Sequence, residues 1–217
     1  MSDTPPTSTF SESYGTWSWS EAREHFEQVD PALFKLVRPL NNPQDSPPRP
    51  AFESLSRAII GQQLSTKAAH TIWSRLVELH GGILAADQVL RTSEAQHRSV
   101  GVSAQKHRYL QDLSRCYAAQ PDVFDKVSVV EDAAIVEEWT RVKGIGTWTV
   151  QMHLMSQLRR PDVFPVDDLG IRRAMERGLG IPKDSKKSVY AKRALVWSPF
   201  RTAASRFLWE SLNAQPK

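Results

Sequence analysis

The sequence predicts an all-α protein of about ten helices. Between Phe52 and His80, apolar residues recur at steps of three and four positions, as they do along one face of a helix. No segment shows a sustained alternation of apolar and polar residues, so no strand is predicted. Residues that favour helix ends also stand where the periodic segments begin and stop, which supports the same fold class.

Serine and aspartate mark the first predicted helix starts. Ser18 with Glu21 forms a capping-box pattern, and Asp30 before Pro31 places a capping residue ahead of a proline in the first turn. Ser65 caps the second half of the long periodic segment. The later predicted helices run over 103–117, 131–141, 147–159, 169–178, 189–197 and 200–212.

Composition narrows the function classes without choosing one. The 217 residues carry a net charge of +4, which permits nucleic-acid binding but does not require it. The single cysteine, Cys116, excludes a disulfide framework, a four-thiolate zinc site and an iron–sulfur cluster. No apolar run has the length of a membrane span, so we expect a soluble protein of the bacterial cytoplasm or of a nucleus. Residues 1–17 are predicted to form a disordered tail.

A glycine hairpin stands between two predicted helices, in the run Val142-Lys143-Gly144-Ile145-Gly146. Glycine accepts backbone angles that other residues avoid, and the next helix begins at about Thr147. The unpaired N–H groups at that helix start, together with its dipole, form a site suited to one phosphate. The alternative is a tight helix–helix turn with a structural purpose only.

A pair of carboxylates, Asp167 and Asp168, follows Pro165 at the start of the helix predicted over 169–178. Helix capping explains one of the two, because aspartate is a favoured N-cap residue. A second carboxylate so close to a phosphate-binding hairpin could act on the sugar next to that phosphate.

Together, the hairpin and the carboxylate pair resemble the helix-hairpin-helix DNA glycosylase superfamily. The residues of these motifs are most similar to those of the alkylbase branch, 3-methyladenine DNA glycosylase II. The resemblance covers about residues 18–213. It implies two helical lobes with an active-site cleft between them. Residues 51–160 would form the middle lobe, and 18–50 would join 161–213 in the second.

The resemblance also implies roles for individual residues. Asp168 would be the catalytic carboxylate, which either stabilises the positive charge on the deoxyribose or activates water, while Asp167 caps or orients. The DNA-binding hairpin would comprise Lys143, Gly144, Ile145, Gly146 and Thr147. The backbone carbonyls of Thr140, Val142 and Ile145 would hold a structural monovalent cation, Na⁺ or K⁺, and no other cofactor is required.

Three further side chains match the family's base pocket: Trp148, Met152 and Trp209. Trp148 and Met152 lie one helical turn apart and share a face. An alkylated purine carries a positive charge, which an indole face attracts. The alternative is that the three side chains only pack in the core.

A flipped base leaves a gap in the stack, and a side chain must fill it. The segment 58–65 resembles the family's wedge loop, with Gln63 as the inserting residue and Leu64 as the apolar alternative. Ser65 and Lys67 could contact phosphates. The competing interpretation is an ordinary helix break that Ser65 caps.

Three other features receive weaker interpretations. The segment 101–106 resembles a family segment that joins the lobes, and we expect it to supply capping and, through Lys106, surface charge. His153 has no partner at ligand spacing and is predicted to be structural. Arg201 either pairs with a carboxylate or touches DNA.

The resemblance thus implies a monofunctional, monomeric DNA glycosylase of base excision repair, acting on double-stranded DNA that contains damaged bases. Alkylated bases are the predicted lesions, and an abasic site is the product. The alternatives are a non-catalytic helix-hairpin-helix DNA-binding module and a glycosylase for other damaged bases. In the family that this chain resembles, lyase-type members carry a lysine at the position that aligns with Trp148, and no lysine lies between Thr147 and Met175.

The absence of a lysine between Thr147 and Met175 leads to a prediction about the reaction product. Without an amine nucleophile, water must attack the sugar, so the abasic strand should remain intact. We expect borohydride to trap no covalent protein–DNA adduct, with a bifunctional glycosylase as the positive control. Strand breakage by the pure protein, before alkali or heat, would contradict the prediction.

Overall fold

The computed structural model describes residues 17–45 and 47–214, and this part of the chain contains helices and no strands. Thirteen α-helices occur in it: α1 Trp19–Val29, α2 Pro31–Val37, α3 Ala51–Gly61, α4 Thr66–Leu79, α5 Ala86–Arg91, α6 Glu94–Ser99, α7 Ala104–Ala119, α8 Asp122–Asp125, α9 Asp132–Trp139, α10 Thr147–Ser156, α11 Leu169–Leu179, α12 Lys187–Ala194 and α13 Arg201–Asn213. A 3₁₀ helix covers Leu195–Trp197. No helix in the described ranges is long and apolar enough to cross a membrane.

Three of these helices were not predicted, namely α5, α6 and α8. They contain only four to six residues each. Such segments are too short to show a 3.6-residue period, and isolated helices of this length are unstable in water. Packing against α7 and α3 therefore determines them, rather than their own sequence pattern.

The predicted helix starts are confirmed by hydrogen bonds. The Ser18 hydroxyl accepts from the Glu21 amide while the Glu21 carboxylate accepts from the Ser18 amide, which completes the capping box. Asp30 accepts from the Leu33 amide at the start of α2, and Ser65 accepts from the Ala68 amide at the start of α4. Local sequence therefore sets where these helices begin.

Two hydrophobic clusters divide the molecule into two lobes. The first cluster, in the middle lobe, draws its buried residues from between Ala51 and Val163. The second combines the N-terminal helices with α11, α12 and α13. Trp209 of α13 packs against both clusters, so the two lobes meet at this side chain.

The N-terminal tail predicted over 1–17 lies outside the described residues except for Trp17. Trp17 is buried in the second cluster, and its indole N–H donates to the Arg159 carbonyl at 2.9 Å. The prediction was wrong for this residue, because a contact 142 positions away orders it. A stretch rich in Ser, Thr and Pro gives no local sign of such a contact.

The chain passes from the middle lobe to the second at residues 160–165, and α13 holds this crossing in place. The Thr202 hydroxyl donates to the Arg160 carbonyl at 2.6 Å and accepts from the Val163 amide at 3.1 Å. Arg201 pairs with Asp162 through two nitrogens, at 2.7 and 2.9 Å. This resolves the open role of Arg201, which binds a carboxylate of its own chain.

Asp30 should be a main source of stability in the second lobe. Its side chain is 2% exposed and accepts from Arg193 at 2.5 Å and from the Trp197 indole at 2.7 Å. Asp30→Ala leaves both donors without their partner, so we expect the free energy of unfolding to fall by about 3 kcal/mol. Urea denaturation measures this loss.

Asp87 provides the control, because it also pairs with an arginine but is exposed. Asp87→Ala should change the unfolding free energy by less than about 1 kcal/mol. Equal midpoints for the two variants would contradict the role given to Asp30.

Candidate active site and DNA-binding surface

Asp168 is the N-cap of α11, and its carboxylate is held by three N–H groups. One oxygen accepts from the Ile171 amide at 2.9 Å and from the Trp209 indole at 3.0 Å. The other oxygen accepts from the Trp148 indole at 2.9 Å. A carboxylate offers about four acceptor sites, so one direction stays open for a further donor such as water.

The two tryptophans predicted for the base pocket therefore contact the predicted catalytic carboxylate. Both use the N–H edge of the indole ring for this contact. Trp148 is 43% exposed, whereas Trp209 is half-buried between the lobes. The sequence predicted that they line the base pocket. In the structure they also hold the Asp168 carboxylate in position.

Met152 contacts a different part of the site. It lines a cavity of about 220 Å³ with Met155, Ser156, Arg206 and Trp209. Trp148 does not line this cavity. The structure thus joins Met152 to Trp209 and joins Trp209 to Trp148 through Asp168, but it does not bring all three into one cavity.

Gly170 belongs to the site, although sequence reasoning assigned it no role. A Cβ atom at this position would lie 3.1 Å from the Asp168 carboxylate and 3.3 Å from the Trp209 ring. Glycine therefore allows Asp168 and Trp209 to approach each other. The sequence signal was a glycine two residues after the aspartate, at a position inside a helix where glycine is otherwise unfavourable.

Asp167 does not cap the helix, which corrects one of the two roles expected for it. The capping hydrogen bond comes from Asp168, and Asp167 is exposed and forms an ion pair with Lys187. Two adjacent aspartates at a helix start look alike in sequence, and only the backbone geometry selects the cap.

The glycine hairpin joins α9 to α10. Gly144 has φ +86°. Gly146 is the N-cap of α10, and no side chain of the cap residue accepts a hydrogen bond from the first-turn N–H groups. Gly146, Thr147 and Trp148 are all exposed. The first-turn N–H groups of α10 therefore lack a side-chain cap at an exposed helix start, and Trp148 lies directly beside them.

Two side chains of helix α7 contact the hairpin. The Tyr109 ring lies under Gly144, where a Cβ would come within 2.3 Å of it. The Asp112 carboxylate accepts from the Lys143 amide at 2.9 Å. Partial burial by itself raises the pKa of Asp112, but the Lys143 amide, Arg115 and the Lys143 charge outweigh that effect and lower the pKa below its ordinary value.

Sequence reasoning missed Tyr109 and Asp112. Their positions, three residues apart in the interior of a long helix, carry no motif. Since Asp112 occupies the Lys143 amide and the Val142 carbonyl occupies the Ile145 amide, these two hairpin N–H groups are not available to a phosphate.

The predicted wedge residues occupy a tight turn between α3 and α4. The Leu64 amide donates to the Gly61 carbonyl at 3.2 Å, and Gln63 has φ +58° at the tip. Gln63 and Leu64 are both exposed, Leu64 by 38%. A non-glycine residue with positive φ is uncommon and concentrates at functional sites.

The carbonyls proposed for a cation belong to the same hairpin. The Val142 carbonyl accepts from the Ile145 amide at 3.1 Å, which leaves its second lone pair available. Neutral carbonyl oxygens suit a monovalent ion. No cluster of His, Cys, Asp or Glu among the described residues could hold a metal ion.

His153 packs in the core of the middle lobe. Its imidazole lies within hydrogen-bonding distance of the Ser54 hydroxyl, at 3.0 Å, and meets the Trp139 ring edge-on. Burial lowers the pKa of His153 to about 4. These contacts agree with the structural role predicted for it. A cavity of about 550 Å³ beside His153 contains none of the predicted site residues.

The fold and the site together define an all-helical protein with a glycine hairpin beside a carboxylate that lies where two lobes meet. Comparison with protein families finds the same combination. Residues 56–199 match the model of the HhH-GPD superfamily base excision DNA repair proteins. The chain belongs to this superfamily.

Individual relatives agree with this assignment. The chain is 31% identical over 200 residues to DNA-3-methyladenine glycosylase 1 of Schizosaccharomyces pombe, covering 89% of this chain and 88% of that protein. It is 32% identical over 193 residues to DNA-3-methyladenine glycosylase of Saccharomyces cerevisiae, with 81% of this chain and 64% of that protein covered.

A solved structure is also similar. The S. pombe 3-methyladenine DNA glycosylase in complex with abasic DNA superposes with a TM-score of 0.78 and 30% identity, over 88% of this chain and 95% of that one. The predicted all-α fold class and the resemblance to the alkylbase branch are both confirmed.

The two hairpin glycines should respond differently to alanine. Gly144→Ala forces a methyl group into the Tyr109 ring at positive φ, so we expect a loss of about 1–3 kcal/mol in stability. Gly146→Ala meets no atom within 4 Å and should leave the melting temperature unchanged. Its methyl group lies beside the open N–H groups, so DNA affinity should fall alike for all sequences.

Thermal melting and DNA titration over a range of salt concentrations measure the two effects. Unchanged DNA affinity in Gly146→Ala would remove the start of α10 from the DNA-binding surface. Wild-type melting of Gly144→Ala would contradict the close packing of Tyr109.

Proposed function

We propose that this protein is a DNA glycosylase of base excision repair that hydrolyses the N-glycosidic bond of alkylated bases and leaves an abasic site. The geometry of Asp168 carries the proposal. A carboxylate fixed by three N–H groups lies between the lobes and next to a hairpin suited to a phosphate. The relatives, which bear the name DNA-3-methyladenine glycosylase, support the substrate class.

The charge of Asp168 suits the bond to be broken. As the base leaves, positive charge develops on the deoxyribose, as in other glycosyl cleavages. A fixed carboxylate stabilises that charge without rearranging during the reaction. The fourth acceptor direction of Asp168 can bind the attacking water and take its proton.

Trp148 and Trp209 serve this chemistry in two ways. Their indole N–H groups hold the carboxylate, and the exposed face of Trp148 is available to a flipped base. A purine alkylated at N3 or N7 is cationic, so an indole face attracts it more than it attracts a neutral base. The same charge makes the base a better leaving group, and little protonation is needed.

DNA would be held on the surface that carries the hairpin and the wedge turn. The N–H groups at the start of α10 bind one phosphate, and Gln63 or Leu64 fills the gap left by the flipped base. A monovalent cation on the carbonyls of Thr140, Val142 and Ile145 would offset the phosphate charge. We propose double-stranded DNA as the substrate, a monomer as the active form, and the compartment that holds the chromosome as the place of action.

A non-catalytic DNA-binding module would share the hairpin. It would have no use for a carboxylate held by two tryptophans between the lobes, because a negative charge near phosphates weakens binding. The arrangement of Asp168 therefore favours the enzyme.

Replacing Asp168 tests the proposal. Asp168→Asn keeps one oxygen, which can still cap α11 and accept from Trp209, but its amide group would face the Trp148 indole N–H. We expect the fold to persist with a modest loss of stability. Base release should fall by roughly 10²–10³-fold, because a preorganised charge is lost. Binding to lesion DNA should persist or tighten.

Asp167→Asn is the matched control, because it removes the neighbouring charge and only an exposed ion pair with Lys187. Single-turnover base release from duplexes with alkylated, deaminated and etheno-modified bases measures both variants. If Asp168→Asn releases bases at the wild-type rate, the catalytic assignment is wrong. If the wild-type protein releases none but binds DNA, the binding module becomes the better interpretation.

A further inference from the structure

Lys106 is partly buried and binds backbone of its own chain, whereas the sequence led us to expect surface charge. Its ammonium group donates to the Ile60 carbonyl at 2.7 Å and to the Gln62 carbonyl at 2.9 Å. These carbonyls lie at the C-terminal end of α3, where backbone acceptors lack helical partners and the helix dipole favours a positive charge. Partial burial lowers the pKa of Lys106 below its ordinary value.

Gln62 extends this contact to the hairpin. Its carbonyl accepts from Lys106, and its side-chain amide donates to the Gly144 carbonyl at 2.8 Å. Gln62 directly precedes Gln63 at the tip of the wedge turn. The turn and the hairpin, 82 positions apart in sequence, are therefore linked through one side chain.

One face of α7 supports both DNA-binding elements. Lys106 holds the wedge turn, Tyr109 lies under Gly144, and Asp112 binds the Lys143 amide. The three positions are spaced by three residues, so they share a side of the helix. The Ser103 hydroxyl accepts from the Lys106 amide and fixes the start of this helix.

We propose that Lys106 and Gln62 are positioning residues that set the distance between the wedge turn and the phosphate-binding hairpin, and that base flipping depends on this distance. The inference rests on the proposed glycosylase function. The hairpin grips the backbone while the wedge enters the base stack. Flipping costs a few kcal/mol, which a wedge at the wrong distance does not offset. Neither residue needs to touch the DNA.

This role predicts a dependence on the pairing of the lesion. Unpaired bases flip at little cost, so a displaced wedge matters less for them. Lys106→Met keeps the length of the side chain and removes both hydrogen bonds. We expect base release from a fully paired lesion to fall roughly 10–100-fold, as for other small displacements of positioning groups. Release of the same lesion from a single strand should fall less than about threefold, because that substrate needs no unstacking of a pair.

Binding measurements separate positioning from phosphate contact. A lysine that binds a phosphate contributes about one unit to the dependence of DNA affinity on salt. Lys106→Met should leave that dependence unchanged. Lys67→Met is the matched control, since Lys67 is an exposed lysine just beyond the same turn. Loss of a phosphate contact there should affect paired and unpaired lesions equally.

Fluorescence of 2-aminopurine placed beside an abasic-site analogue reports unstacking without any chemistry. Lys106→Met should reduce the fluorescence increase that the wild-type protein causes in a duplex. If the wild-type protein unstacks the duplex but releases no base, the proposed function fails. A reduced signal in the variant would then still support the positioning role.

Two further variants test the same inference if Lys106→Met does not fold. Gln62→Leu removes only the link to Gly144 and should show the same preference for unpaired lesions. Lys106→Arg retains two donors and should recover most of the activity on paired lesions. Equal losses on paired and unpaired substrates, a changed salt dependence for Lys106→Met, or wild-type behaviour of both Lys106→Met and Gln62→Leu would each overturn the inference.

Discussion

The Asp168 carboxylate accepts hydrogen bonds from N–H groups of three separate helices. The Ile171 amide belongs to α11, the Trp148 indole to α10 and the Trp209 indole to α13. Helix α10 packs in the middle lobe, and the other two helices pack in the second lobe. The three hydrogen bonds to Asp168 therefore form together only when the lobes are correctly joined. The geometry of the site therefore depends on how the lobes are joined, which the contacts of Thr202 and Arg201 at the crossing also help to set.

Glycine permits close approach at two points on which the site depends. At Gly170 the missing Cβ allows Trp209 to reach Asp168, and at Gly144 it allows the hairpin to rest on Tyr109. In both cases an aromatic ring fills the space that a side chain would have taken. These close contacts place the hairpin and the carboxylate in defined positions, as preorganised binding and catalysis require.

Three buried or half-buried polar side chains connect parts of the backbone that are distant in sequence. Asp30 holds the start of α2 against Trp197, Thr202 holds the crossing between the lobes, and Lys106 holds the end of α3. Each group joins segments that are distant in sequence. Removing one partner leaves an unsatisfied donor or acceptor in the interior, which costs more than the bond itself contributes.

The sequence by itself determined the all-α fold, the helix starts at Ser18, Asp30 and Ser65, and the family, because periodicity, capping and the hairpin motif are local patterns. Only the tertiary structure decided which aspartate caps α11, that the indole N–H groups bind it, and that Lys106 binds the backbone at the end of α3. It also ordered Trp17 and the short helices α5, α6 and α8. These features arise from contacts between residues far apart in the chain, and such contacts leave no periodic or local trace in the sequence.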